Sequence, residues 1–305
     1  MIKVNGEVVN YGRFPDGTVN VKGDSTLIDG QVVITWHYES DAEYMPLVFL
    51  TKFYQAYGNK VILFLPYVPN ARMDRVEEAG DVFTMKYFGE MINDLHFEKV
   101  FIMDVHSSVA LAAIKNCWIE PIRPLINSVI DIVRDNTYGR EIPLIFFPDE
   151  GSMKRYGKNL RIPYAYGMKK RDWKTGKILG LDVCGINPED VKGRTVLIID
   201  DICSYGGTFY YSAKKLKEMG AKNVVLYVTH CENSIMNGQF GEKKENLFDT
   251  GLIEQVFTTN SICKVKHDKL VVIKLALNVC DDEECDCESE CGCCQCDSKE
   301  DCDNA

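Results

Sequence analysis

Two adjacent carboxylates, Asp200 and Asp201, precede a glycine pair, Gly206 and Gly207, in the stretch RTVLIIDDICSYGGTFYYSAKKLKEMGA, Arg194 to Ala221. Glycines let a backbone wrap closely, so the amides of such a turn and of the helix after it can hold a phosphate, with Thr208 adding its hydroxyl. Carboxylates beside a phosphate cradle would repel the same ligand unless they face hydrogen-bond donors, and vicinal ribose hydroxyls are such donors. A phosphorylated sugar meets both requirements. The competing reading is an ordinary strand-to-helix loop capped by acids. No GxxxxGK[ST] occurs in the chain, which excludes a P-loop.

Other segments carry further chemistry. LPYVPNARMDR, Leu65 to Arg75, puts Arg72, Asp74 and Arg75 just after an apolar run. A guanidinium fork there matches paired polyphosphate oxygens. FIMDVHSS ends a second apolar run on Asp104 and His106, and FFPDEGSMKR ends a third on Asp149. An isolated histidine of this kind is more often structural than functional. YGMKKRDWKTGK, Tyr166 to Lys177, concentrates basic residues including Lys169 and Arg171, and on spacing alone it reads as a solvated charged loop. GRFPDGTVNV, Gly12 to Val21, reads as a turn between strands, with Phe14 and Asp16 at its tip.

Elements must carry these residues to one place. Asn5-Gly6 between alternating residues predicts a hairpin, and a second extended pair is expected over Thr18 to Ile34. Thereafter short β-branched runs alternate with helix-period segments: helix from Met45 to Gly58, strand from Val61, helix from Thr84, strand from Lys99 to His106. The pattern restarts with a strand from Pro143, a helix from Gly151, the strand Thr195 to Asp201, a helix from Thr208 and the strand Asn223 to His230. Two α/β halves follow, with a boundary near Pro121 and Pro124. Continuous apolar strands such as Val196 to Ile199 imply parallel sheets buried on both faces, with ligands at the strands' carboxyl ends.

Composition narrows the class. The chain has 305 residues with 46% hydrophobic and 26% charged, ordinary globular values. No run approaches a membrane span and no charged-then-greasy leader is present, so a soluble cytoplasmic protein is expected. The net charge of -10 belongs entirely to the stretch from Asp281 to Ala305, with 11 acids against Lys299. A neutral body with an acidic end argues against nucleic acid as a partner. Eight of 13 cysteines lie between Cys280 and Cys302; Cys117, Cys184, Cys203, Cys231 and Cys263 are spread over the body, as expected of reduced thiols. The end segment cannot build a core and reads as disordered, with soft-metal binding (Zn2+ or Cu+) on CxC and CC thiolates or disulfides as alternatives.

IIDDICSYGGT resembles the ribose-phosphate motif of the type I phosphoribosyltransferase fold, and the chain from about Tyr11 to Leu277 resembles the ribose-phosphate pyrophosphokinase family in its order of motifs. The resemblance implies two tandem phosphoribosyltransferase-like domains, 1–122 and 123–279, each a mainly parallel sheet flanked by helices, followed by the acidic tail 280–305. It implies transfer of the β,γ-diphosphoryl group of magnesium ATP to the 1-hydroxyl of ribose 5-phosphate. In that scheme Phe14, Asp16, Arg72, Asp74 and Arg75 take the nucleotide. Asp200, Asp201, Ser204, Tyr205, Gly206, Gly207 and Thr208 take the ribose phosphate. His106 and Asp149 serve Mg2+, and Lys169, Arg171 and His106 act on the transferring group. The same resemblance implies a homo-oligomer, dimer or hexamer, in which the RFPDG segment completes a neighbour's site; the absence of an apolar run long enough to span a bilayer argues against a membrane partner.

The chain departs from the family's pattern at Thr18 (usually Glu), Met73 (usually Gln), Glu150 and Ser152 (usually small and Gly), Ser204 (usually Asp) and Tyr205 (usually Thr). Tyr205 leaves room for a substituted acceptor such as ADP-ribose, whose attached group could stack on its ring. A plain phosphoribosyltransferase and a non-catalytic regulatory homologue are the competing classes. The first leaves Arg72, Arg75 and His106 unexplained; retention of Lys169, Arg171, His106 and Asp149 speaks against the second.

Overall fold

The computed structural model describes residues 1–27, 30–137, 141–160, 162–171 and 178–277. The acidic cysteine-rich tail, with its expected disorder and metal binding, lies outside the described residues. The strands are β1 (Ile2–Val4), β2 (Glu7–Val8), β3 (Tyr11–Arg13), β4 (Val19–Val21), β5 (Gln31–Trp36), β6 (Lys60–Leu65), β7 (Val100–Met103), β8 (Cys117–Glu120), β9 (Leu144–Phe147), β10 (Tyr164–Arg171), β11 (Ile178–Cys184), β12 (Thr195–Cys203), β13 (Asn223–Cys231), β14 (Gln255–Thr259) and β15 (Leu270–Ile273). The helices are α1 (Tyr44–Ala56), α2 (Thr84–Asn93), α3 (Ser108–Ala113), α4 (Arg123–Ile132), α5 (Glu150–Leu160), α6 (Pro188–Val191) and α7 (Gly207–Glu218). None of the described helices is long and apolar enough to cross a membrane.

The chain divides into two compact units, one built mainly of Met1–Trp36 and Ser40–Pro121, the other of His37–Glu39 and Ile122–Leu275. The first holds a six-stranded sheet in the order β2-β1-β5-β6-β7-β8 and the second a seven-stranded sheet in the order β11-β10-β9-β12-β13-β14-β15. Both are mainly parallel: β5 to β8 run together in one, and β10, β9, β12, β13, β14 and β15 in the other.

The Asn5-Gly6 hairpin forms as its sequence predicts, with φ of 44° at Asn5 and 88° at Gly6. The extended pair expected over Thr18 to Ile34 does not. Val19–Val21 turns back on Tyr11–Arg13 as a separate two-stranded ribbon, while Gln31–Trp36 lies between β1 and β6. The two segments are both extended but pair outside the stretch and not with each other, a choice of partner that local alternation cannot reveal.

In the second unit the apolar strands pack on both faces, for a reason visible in their period. Leu144, Phe146, Val196, Ile198, Val224 and Leu226 point to one face, where they meet Phe209, Ala213 and Leu216 of α7. Ile145, Phe147, Leu197, Ile199, Val225 and Tyr227 point to the other, against Ile126, Val129 and Ile130 of α4 and Tyr156 and Leu160 of α5. Alternate residues reach opposite faces of a strand, so a strand covered by helices on both sides must be apolar throughout. Each such Leu, Ile or Val contributes roughly 1.5–3 kcal/mol by burial. This two-sided core fixes the carboxyl ends of β9 and β12, where polar residues begin.

Candidate active site

In the second unit, apolar β9 ends at Phe147, and Asp149 directly precedes α5. Asp149 Oδ1 accepts the Ser152 N–H at 3.1 Å, as an N-cap carboxylate does for an otherwise orphaned amide. β12 runs on past its apolar stretch to carry Asp200 and Asp201. Ser152 Oγ lies 2.7 Å from Asp200 Oδ1 and 3.2 Å from Asp149 Oδ1. Asp201 is buried, its Oδ2 paired with Arg155 Nη1 at 3.0 Å. Asp149, Asp200 and Asp201 are therefore gathered by two residues of α5.

Desolvation pushes the Asp200 carboxyl well above the ordinary carboxylate range, and the charge of Asp201 raises it further; hydrogen bonds from Ser152 and from the Asp201 amide (3.0 Å) oppose the rise. The sequence reading marked Ser152 only as a departure and passed over Arg155. The signal was their spacing: both are polar at i and i+3 on a helix whose buried face carries Tyr156 and Leu160.

The turn after β12 is equally specific. Gly206 takes φ +92°, and a Cβ built there would lie 2.9 Å from Cδ2 of buried Leu247, so backbone and packing both demand glycine. Gly207 differs: a Cβ there meets only Phe240 at 3.9 Å. The turn delivers Gly207 and Thr208 as the first residues of α7, where amides and helix dipole favour an anion.

Ser204 Oγ lies 3.2 Å from Ser234 Oγ, which donates to Glu232 Oε2 at 3.0 Å. Ser234 has one hydroxyl hydrogen and Glu232 takes it, so Ser204 must donate to Ser234. Ser204 thus commits its proton to Ser234. Tyr205 is 58% exposed at the turn's tip, and nearby Tyr210 stacks on Phe240 at 4.7 Å and 13°.

The basic segment expected as a loop is a hairpin arm over its described part. β10 pairs antiparallel with β11, Lys169 opposite Leu181 and Arg171 opposite Ile178, with a register shift between Lys170 and Arg171. Residues 172–177 lie outside the described part of the chain. A hairpin at the sheet edge tolerates the charges that made the sequence look like a loop.

In the first unit the candidates occupy three separate segments. Phe14 and Asp16 sit on the β3–β4 turn, where Asp16 Oδ1 accepts from Thr18 N at 3.0 Å and Oγ1 at 2.7 Å. Those bonds hold the Asp16 carboxyl below its usual range. Thr18, in a position where the family usually has glutamate, thus anchors its neighbour. Arg72, Asp74 and Arg75 follow β6, with Arg75 Nε 2.8 Å from Glu77 Oε1 on the surface. Asp104 is buried in the left-handed region (φ 43°) after β7, and exposed His106 precedes α3, whose N-cap is Ser107.

A strand ending in two acids, a glycine turn and a helix N-terminus define a class. Residues 132–260 match the phosphoribosyl transferase domain family. A solved phosphoribosylpyrophosphate synthetase from Mycobacterium smegmatis superposes with a TM-score of 0.67 at 19% identity, over 88% of this chain and 86% of that one, and so shares the fold.

Ribose-phosphate pyrophosphokinases are relatives over most of the length. That of Saccharolobus solfataricus is 25% identical over 287 residues, spanning 92% of this chain and 91% of its own. The one from Pyrococcus abyssi is 28% identical over 243 residues, 75% of this chain and 79% of its own. The resemblance drawn from the motifs therefore extends over most of the chain: it is similar to ribose-phosphate pyrophosphokinases and shares the fold of a phosphoribosylpyrophosphate synthetase.

Proposed function

We propose that this chain is a pyrophosphokinase: the 1-hydroxyl oxygen of ribose 5-phosphate attacks the β-phosphorus of ATP, the bond from that phosphorus to the α-phosphate oxygen breaks, and AMP leaves. The hydroxyl proton passes to solvent and the product is the 1-diphosphate. The observation that carries this reading is the pre-assembled β12–α7 turn beside Asp149, Asp200 and Asp201. Asp200 and Asp201 accept from the ribose hydroxyls. The amides of Gly206 and Gly207, with Thr208, take the 5-phosphate. Phe14, Asp16, Arg72, Asp74 and Arg75 serve the nucleotide. Lys169 and Arg171 stabilise charge on the moving diphosphoryl group, with catalysis by positioning and electrostatics.

His106 would serve one Mg2+ site, with the nucleotide phosphates, and Asp149 a second. Among the described residues no cluster of three donors could cage a metal. A carboxylate at a strand end suits a hard cation that keeps most of its waters and takes its remaining ligands from phosphate oxygens. When bound, the ion supplies charge neutralisation on those oxygens. The cysteine-rich tail is proposed to bind Zn2+ or Cu+ through its thiolates, which metal analysis of the reduced full chain tests. A homo-oligomer is also proposed, to be read by light scattering.

The decisive assay is AMP release from ATP with ribose 5-phosphate. Lys169→Ala should lower kcat about 100- to 1,000-fold with a small change in KM. Absence of AMP with any ribose phosphate would sink the reading.

Exposed Tyr205 and the Ser204 hydroxyl committed to Ser234 favour a second reading of the acceptor. A turn with fewer side-chain donors suits a phosphate already esterified, with the attached group against the Tyr205 ring, as in ADP-ribose. AMP release measured with ribose 5-phosphate and ADP-ribose side by side separates the two.

A further inference from the structure

We propose that Ser152 is a positioning residue of this site, one that clamps Asp149 with its backbone and Asp200 with its side chain and so presets the carboxylate that receives the acceptor's ribose. This inference rests on the assignment of Asp200 to the ribose hydroxyls made above.

The geometry is specific. Ser152 lies in the first turn of α5 and is 3% exposed. Its N–H caps onto Asp149 Oδ1 at 3.1 Å, which fixes the start of the helix. Its Oγ reaches 48 residues along the chain to Asp200 Oδ1 at 2.7 Å, the usual O–H···O distance, and is 3.2 Å from Asp149 Oδ1. A hydroxyl carries one hydrogen, so it serves one carboxylate at a time. The shorter contact assigns it to Asp200, while Asp149 keeps the amide.

The consequence for binding follows from what Asp200 must do. A carboxylate receiving ribose hydroxyls needs one oxygen turned to the ligand and the other held back. The Ser152 hydroxyl and the Asp201 amide both converge on Oδ1 of Asp200. Oδ1 is the oxygen on which both anchors converge, and the Asp201 side chain is a further hydrogen-bond neighbour of the carboxyl. Without the Ser152 hydroxyl the carboxylate keeps one of these two anchors and can rotate about its terminal torsion, whose wells are broad. Arg155, a helical turn further along α5, holds Asp201 from the same helix. One face of α5 therefore sets both acids, and Ser152 acts through Asp200, not on the reacting atoms.

A purely structural role, an ordinary cap with a tertiary hydrogen bond, makes a different prediction, and three variants separate them. Ser152→Ala keeps the backbone cap and deletes the hydroxyl; Ser152→Thr keeps the hydroxyl; Ser152→Gly deletes the side chain. In steady-state assays on the full chain, Ser152→Ala should raise the KM for ribose 5-phosphate about tenfold with kcat within about twofold, and Ser152→Thr should recover most of the loss. Calorimetric titration with ribose 5-phosphate, without ATP or metal, reads the same effect independently of turnover, as about tenfold weaker binding in both Ser152→Ala and Ser152→Gly.

Wild-type binding without AMP formation, with Ser152→Ala still weaker, supports Ser152 while removing the proposed reaction. Equal affinity of wild type and Ser152→Ala overturns the role. A fall in melting temperature with unchanged KM also overturns it, as does failure of threonine to rescue. Absence of any ribose 5-phosphate binding by the wild type overturns both readings.

Discussion

The carboxyl ends of parallel strands carry the candidate residues in both units, but they are held in different ways. At β12, Asp200 and Asp201 are fixed before any ligand arrives, by Ser152 at 2.7 Å and Arg155 at 3.0 Å. After β6, Arg72 and Arg75 lie on an irregular exposed segment, and the partner of Arg75 is its surface neighbour Glu77. The acids are anchored by residues distant in sequence, the cation by one two positions away. A sugar bearing several hydroxyls gains from fixed acceptors, because their orientation costs nothing at binding. A flexible triphosphate is better met by long cations that settle on it, at the expense of side-chain entropy.

Removing an anchor at the acid end should therefore have the largest effect on stability. Arg155→Ala leaves Asp201 buried and without this partner. The generic loss on breaking a buried pair is about 3–5 kcal/mol, and partial exposure of Arg155 reduces that to about 2–3 kcal/mol. Urea unfolding of the variant reads it directly. A loss below about 0.5 kcal/mol would mean that the acid end is no more preset than the cation end. Next comes the turn. Gly206→Ala forces a left-handed residue against Leu247 and should cost about 1–3 kcal/mol, whereas Gly207→Ala meets no close atom and should stay near wild type in stability. A small effect at Gly207 combined with weakened acceptor binding would place the phosphate over it.

Titration sharpens the same contrast. Because the folded Asp200 carboxyl is raised, first by desolvation and then by Asp201, the folded state holds a proton there that the unfolded chain has released. Unfolded chains then bind fewer protons over the window from the ordinary carboxylate range up to the raised value, and stability must fall as pH rises through it. Affinity for a ribose hydroxyl runs the other way, since the ionised form is the better acceptor, and it should improve over the same window. Melting temperatures across that window should fall for wild type relative to Asp200→Asn, which cannot titrate. Parallel curves would remove the raised carboxyl from the account. Arg75, exposed and paired with Glu77, offers no counterpart.

The strand carrying the acids was legible because TVLIIDD is apolar without a break and then turns polar at once, a pattern that only a strand covered on both faces requires. The glycine turn was legible as well, although sequence could not separate Gly206, needed by its φ and by Leu247, from Gly207. Thr18 to Ile34 misled because its two strands pair outside the stretch, Val19–Val21 with the strand before it and Gln31–Trp36 with β1 and β6, and alternation marks a strand without naming its partner. Lys169 and Arg171 read as loop residues because charge outweighed the modest β-propensity of the segment; the β10–β11 hairpin supplies the pairing that propensity lacked. Ser152 stood out in the sequence only as a departure from the family's pattern. Its partner Asp200 is 48 residues away, so its i, i+3 spacing with Arg155 marks a shared helix face without naming what that face holds.

The smallest stability effect belongs to the cation end. Arg75 and Glu77 are both largely exposed, so their 2.8 Å contact is screened by solvent and contributes little to folding. Arg75→Ala should leave urea unfolding within about 0.5 kcal/mol of wild type. If its guanidinium meets the nucleotide's phosphates, the same change should raise the KM for ATP about tenfold while leaving that for ribose 5-phosphate alone. Glu77→Gln frees the cation from its neighbour at little structural cost, and should lower the KM for ATP or leave it unchanged. A rise with Glu77→Gln would show instead that the ion pair holds Arg75 in place, and the cation end would then be preset in the manner of the acids.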